Sequence, residues 1–156
     1  MTDEDFMRQA IALSRRGMEG GAGGPFGAVV VLDGQVVAEG WNQVTSTNDP
    51  TAHAEIVALR RACAALGRFE LRGATVFTSC EPCPMCLAAL YWSRCDRVVF
   101  ANDRAQAAAI GFDDALLYEE IPKPVEARLL PMRRLLQAEA LEVFYAWMEK
   151  ADRTLY

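Results

Sequence analysis

Two short motifs restrict this chain more than anything else in it. His53-Ala54-Glu55 holds the only histidine, and Pro82-Cys83-Pro84-Met85-Cys86 holds two of the five cysteines. Ile56, Leu59, Cys63 and Leu66 recur at helical spacing before Gly67, which predicts a helix over 52–66, with Asp49-Pro50-Thr51 supplying cap and first-turn chemistry. A second long helix is expected over 82–92. Both motifs therefore stand at helix openings. Unpaired N–H groups and the helix dipole favour thiolates there, and an i, i+3 cysteine pair faces one way. A fold that brings the two openings together collects one imidazole and two thiolates. That set suits Zn²⁺ and leaves the fourth tetrahedral position for water, the pattern of a catalytic site.

The other cysteines leave alternatives open. Cys80 could close a four-ligand structural site, although it belongs to a strand end before the helix. An iron–sulfur pattern through Cys80, Cys83 and Cys86 needs a further cysteine where the chain has Leu90. Cys63 reads as a small hydrophobe on the helix stripe, and Cys95 carries no motif. Five is an odd number, so a disulfide framework is not expected.

At 156 residues, 52% of them apolar and 24% charged, the chain has the size and mix of one folded domain. A first helix is expected behind Thr2 as N-cap, with Phe6, Ala10, Ile11, Ser14 and Met18 on its stripe and Gly20-Gly21 ending it. The Val-rich run 28–32, Asp33-Gly34 and the run 35–38 predict a hairpin. Strands are expected over 75–78 and 98–101 and a short helix over 105–110, which together make an α/β fold with parallel neighbours after the hairpin. Prolines 122, 124 and 131 punctuate the chain beyond Gly111. Residues 132–136 read as a last strand or a helix start. Ala140, Val143, Phe144, Trp147 and Ala151 mark a C-terminal helix.

A formal net charge of -5 argues against a partner bound through many phosphates and favours a small substrate, with no nucleic acid and no membrane as partner. The pairs Arg15-Arg16, Arg60-Arg61 and Arg133-Arg134 read as solvated edges. The longest uncharged runs, 20–32 and 82–93, are too short to span a bilayer. The acidic opening Met1-Thr2-Asp3-Glu4-Asp5-Phe6 lacks the basic start of a leader, so a cytoplasmic enzyme is expected.

Taken together, H-x-E and P-C-x-x-C carry the signature of zinc-dependent nucleobase deaminases. The chain resembles the cytidine deaminase superfamily, and its guanine-deaminating branch over nearly the whole length. The resemblance is carried by Gly23-Gly24-Pro25-Phe26-Gly27-Ala28, Asn48-Asp49-Pro50-Thr51-Ala52-His53-Ala54-Glu55, Thr78-Ser79-Cys80-Glu81-Pro82-Cys83-Pro84-Met85-Cys86, Gly111-Phe112-Asp113-Asp114 and the terminal Tyr156. It implies a three-layer α/β/α sandwich around a five-stranded mixed sheet, one zinc per chain on His53, Cys83 and Cys86, and hydrolysis of guanine to xanthine and ammonia. It also implies a homodimer with an exchanged C-terminal segment, in which the tail 150–156 caps the partner's site.

By the same resemblance, Glu55 shuttles protons and Phe26 lies beneath the purine, with a core phenylalanine as its plainer reading. Asn42 hydrogen-bonds the base or serves a turn. Asp114 is a second acid, a role that Asp113 or Glu119 could fill instead. Trp92 either walls the pocket or is a buried helix residue, and Tyr156 reaches over an active site.

The chemistry has its own logic. Water is too weak a nucleophile for an amine-bearing ring carbon at neutral pH, zinc brings its pKa down, and one carboxylate can serve as base and then acid. The same centre could serve cytosine, adenine or a small triazine such as ammeline. A non-catalytic zinc module built with Cys80 is the reading from another class.

Overall fold

A computed structural model describes all residues, 1–156, and divides them into two compact units, Met1–Asp114 and Ala115–Tyr156. The first unit begins with α1 (Asp3–Glu19), whose Thr2 cap and Asp5 form a reciprocal capping box. Next come β1 (Gly27–Leu32) and β2 (Gln35–Trp41), joined by Asp33 and Gly34 at φ of 50° and 74°, the two positive values that a tight hairpin turn requires. A short α2 (Val44–Thr47) and α3 (Ala54–Leu66) precede β3 (Thr75–Cys80). The unit closes with α4 (Pro84–Ser93), β4 (Arg97–Asn102) and α5 (Arg104–Ala109).

The sheet runs in the order β2-β1-β3-β4. β1 is antiparallel to both β2 and β3, and β3 is parallel to β4. Because side chains alternate across a strand, β1 feeds two cores. Ala28 and Val30 join Ala54, Ala58, Leu59, Ala62, Val76 and Leu90 on the side of α3 and α4. Val29 and Val31 join Phe6, Leu13 and Phe77 on the side of α1. This is the expected α/β/α layering. Each fully buried valine or phenylalanine contributes about 1.5–3 kcal/mol, so the two apolar layers outweigh the exposed ion pairs at the rim.

The structure corrects five readings. The sheet has four strands, not five. Residues 131–135 make no ladder: Pro131 lacks an N–H, the arginine pair is exposed, and Leu136 at φ 53° turns the chain into a helix. The helix-start reading of 132–136 is thus the one that stands.

On α1, Ile11 and Met18 are exposed, while Leu13 and Gly17 take the buried stripe with Phe6 and Ala10. Trp41 explains the shift, because its ring lies where a Gly17 side chain would be. Both motif helices begin two residues later than expected. Asp49 is spent on a turn of its own, where Oδ1 accepts from the Thr51 N–H at 2.8 Å and its hydroxyl at 2.6 Å. Finally, Trp92 is no core residue: its side chain is exposed, with the Arg94 guanidinium over its ring.

The second unit contains α6 (Ala115–Glu120), a 3₁₀ turn (Val125–Ala127) and α7 (Gln137–Glu149). None of its helices has a buried residue, and Val143, Phe144 and Met148 of α7 stand exposed. No helix of the chain is long and apolar enough to cross a membrane.

Candidate active site

His53 is the N-cap of α3 and Cys83 the N-cap of α4, both in extended conformation, so each side chain leaves its helix end rather than its flank. Pro84 follows Cys83 at the first position of its helix, where a missing N–H costs nothing. β3 ends at Cys80, and the Glu81 N–H donates to the carbonyl of Asn102 on β4 at 2.7 Å, which fixes the approach of the Cys83 turn. α3 is held from the other direction. A Cβ at Gly40 of β2 would lie 2.3 Å from the Ala54 carbonyl oxygen and 2.6 Å from the Ala58 nitrogen, so only glycine lets the first turns of α3 rest there.

The two helix openings meet as expected. His53 Nδ1 lies 3.5 Å from the Sγ of Cys83 and 3.5 Å from the Sγ of Cys86. All three donor atoms fall within 4.8 Å of one another. Zinc–sulfur and zinc–nitrogen bonds of about 2.3 and 2.05 Å at a tetrahedral angle put sulfur and nitrogen about 3.6 Å apart. The donor set therefore fits zinc. Cys80 is not part of it: its thiol points at the Asp103 carbonyl oxygen, 3.9 Å away, which removes the four-ligand structural site.

Of the three donors, Cys83 alone is drawn towards its deprotonated form before any metal is bound, and a metal has to displace the protons of the other two. Cys83 is lowered to about 4, first by hydrogen bonding from the Cys86 thiol and then by His53. Cys86 is pushed up because Cys83 accepts its proton and because it is buried, and His53 is raised by its bond to Cys83. Cys80 is pushed up to about 11 by burial, the behaviour of an inert thiol.

Glu55, in the first turn of α3, is 6% exposed, and burial holds its carboxyl above the usual range. It is not among the three clustered donors. The Thr78 hydroxyl on β3 donates to its Oε1 at 3.3 Å. Asp114 is half-buried and raised, first by burial and then by the Cys83 charge. Asp113 is exposed, and Glu119 belongs to the second unit.

Asn42 is buried at the end of β2, with Oδ1 accepting from the N–H groups of Gly24 at 3.3 Å and Val44 at 3.1 Å. A Cβ at Gly23 would come within 2.2 Å of that oxygen, which accounts for glycine at this point of the loop. Phe26 on the same loop meets Phe112 edge to face, centroids 4.9 Å apart. Trp92 is exposed on α4, and Tyr156 ends the second unit, also exposed. Sequence reasoning gave Thr78 no role. Its one signal was a hydroxyl residue in a strand that is otherwise fit for burial.

A family profile described as the cytidine and deoxycytidylate deaminase zinc-binding region matches residues 1–102, and the chain belongs to that family. With this donor set, it has one zinc site per chain. Within the family it is similar to the guanine deaminase of Bacillus subtilis (strain 168), 48% identical over 156 residues and 100% of both chains. A crystal structure of guanine deaminase from Bacillus subtilis is alike at a TM-score of 0.97, with 48% identity, over 100% of this chain and 99% of that one. The tRNA-specific adenosine deaminase of the same strain is 38% identical over 118 residues, 76% of this chain and 73% of the relative.

Proposed function

We propose that this protein hydrolyses guanine to xanthine and ammonia. The observation that carries the reading is the full-length 48% identity to a guanine deaminase, joined to a three-donor zinc site with a buried carboxylate beside it. A zinc ion bound there supplies Lewis acidity, which brings the pKa of a water towards neutrality.

The chain's own residues do the rest. His53, Cys83 and Cys86 hold the metal. Glu55 takes a proton from the attacking water and passes it to the ring nitrogen beside the amino-bearing carbon. It then takes the second proton from the hydroxyl now on that carbon and hands it to the amino group, which departs as ammonia as the carbon–nitrogen bond breaks and the carbonyl forms. The raised pKa of this buried carboxyl suits a group that must hold a proton between those steps.

The same reading assigns the substrate contacts, and the loop geometry supports it. Phe26 lies beneath the purine, with its ring set by Phe112. Asn42 uses its oxygen to pin the glycine loop and its Nδ2 to donate to the base. Asp114 reads the amino edge, a role its burial and its proximity to Cys83 support over Asp113. Trp92 walls the pocket from α4. Five cysteines without a disulfide suit a reducing compartment such as the cytoplasm.

The test is a panel. Ammonia release should be fastest from guanine and at least about 10²-fold slower, in kcat/KM, from cytosine, adenine, guanosine and ammeline. A higher value for any of these others defeats the assignment. Adenosine in transfer RNA is the substrate of the second relative, and the net charge of -5 disfavours that partner.

The same reading includes a homodimer that exchanges its C-terminal segments, with Tyr156 serving the partner's site. Two observations support it. α7 leaves Val143, Phe144 and Met148 uncovered, and in the first unit Phe100 on the edge strand β4 and Tyr91 on α4 are also exposed. Deleting Leu155 and Tyr156 is expected to preserve zinc content and fold while lowering guanine turnover about 10-fold or more, through loss of the lid. Mixing that deleted chain with a Glu55→Gln chain should restore activity in verified heterodimers, where one intact Glu55 site receives its tyrosine from the partner. Inactive heterodimers would rule out the exchange.

A further inference from the structure

The buried end of β3 holds a hydroxyl that the reaction scheme does not use. Thr78 is 1% exposed, and its Oγ1 lies 3.3 Å from Glu55 Oε1 and 3.1 Å from the Cys80 carbonyl oxygen. A threonine hydroxyl has one proton, so the two acceptors compete for it. A valine at this place would have packed as well and needed no partner, since Val76 on the same strand is fully buried without one. Burying a hydroxyl is costly unless it is hydrogen-bonded, and here one of its two acceptors is a carboxylate from another element, 23 residues away in sequence.

From this geometry we propose that Thr78 is a positioning residue for Glu55. It anchors Oε1 so that the carboxylate cannot rotate about its last torsion while it works beside the three donors. That torsion is broad and soft in a free glutamate, and a proton shuttle must keep hydrogen-bond reach to water and to substrate in turn. The contact tolerates both states of the shuttle. Thr78 donates to a carboxylate, and when Glu55 carries the proton, the hydroxyl can turn its own hydrogen to the Cys80 carbonyl and accept instead. Neither valine nor alanine offers this, whereas serine does. The role rests on the deaminase reading above and assigns Thr78 no contact with substrate.

The experiment compares zinc-loaded full-length wild type, Thr78→Val and Thr78→Ser. Thr78→Val should keep the wild-type zinc content and a KM for guanine within about twofold, while kcat falls about 10- to 100-fold, the loss expected for a hydrogen bond to a charged group. Thr78→Ser should recover most of that loss. Crystal structures of the three supply a readout independent of turnover, with Glu55 Oε1 displaced or split in Thr78→Val and restored in Thr78→Ser. A wild type inactive on guanine defeats the substrate assignment but not this inference, which the crystals then decide. The inference is overturned if Thr78→Val keeps wild-type kcat, if its loss appears in KM alone, if it fails to fold or load zinc, if serine does no better than valine, or if Glu55 does not move.

Discussion

Replacing Glu55 by glutamine is expected to leave about one zinc per chain and the same fold while lowering guanine turnover about 10²-fold or more. The amide matches the carboxyl in size, so the buried niche between α3 and β3 stays filled. An amide oxygen can still accept from the Thr78 hydroxyl at the position where Oε1 now does. What is lost is a group able to carry a proton. Zinc content by atomic spectroscopy, beside the rate of ammonia release, separates the outcomes. Retained metal with lost rate is the signature of a shuttle, whereas metal lost together with rate would make Glu55 a ligand, against its absence from the donor cluster.

The second large effect is at the metal itself. Cys83→Ala or His53→Ala should bring zinc from about one per chain to under about a tenth, and activity to background, because two protein donors do not hold a site that three define. Cys83 is the more telling of the two. Its sulfur takes the Cys86 hydrogen bond and faces the His53 nitrogen at 3.5 Å, so its removal strips both other donors of their neighbour. Either variant with full zinc and full activity would remove the metal centre from the meeting point of the two helix openings.

Some of this was legible in the sequence and some was not. The two motifs named the donors because zinc chemistry demands particular side chains at particular spacings, and helix-start signals placed them at openings. Helix boundaries slipped by two residues where Asp49 bonded Thr51 locally instead of capping α3. The stripe on α1 slipped because a bulky Trp41 opposite Gly17 set which face turns inward, and periodicity does not register what stands opposite. Trp92 could be read as a pocket wall or a buried helix residue, and the stripe of α7 marked only a helix, because an apolar side chain looks the same in sequence whether it is covered within its own chain or left open. Thr78 was silent for a similar reason. Its meaning lies in a distance to Glu55, and no local pattern records that distance.

The contact at Gly40 bears on how this molecule can change over time. The first turns of α3 lie on β2 backbone against backbone, with the Ala54 carbonyl oxygen and the Ala58 nitrogen where a side chain would otherwise be. The height of that helix above the sheet is thus set by peptide groups, which substitution does not alter. Apolar residues deeper along α3, such as Leu59 and Ala62, can be exchanged or reshaped at some cost in stability before the histidine and glutamate at its head lose their aim. Position 40 has no such latitude. Drift in the apolar layer and fidelity of the chemistry are in this way assigned to different parts of one helix, and a lineage can retune the first without renegotiating the second.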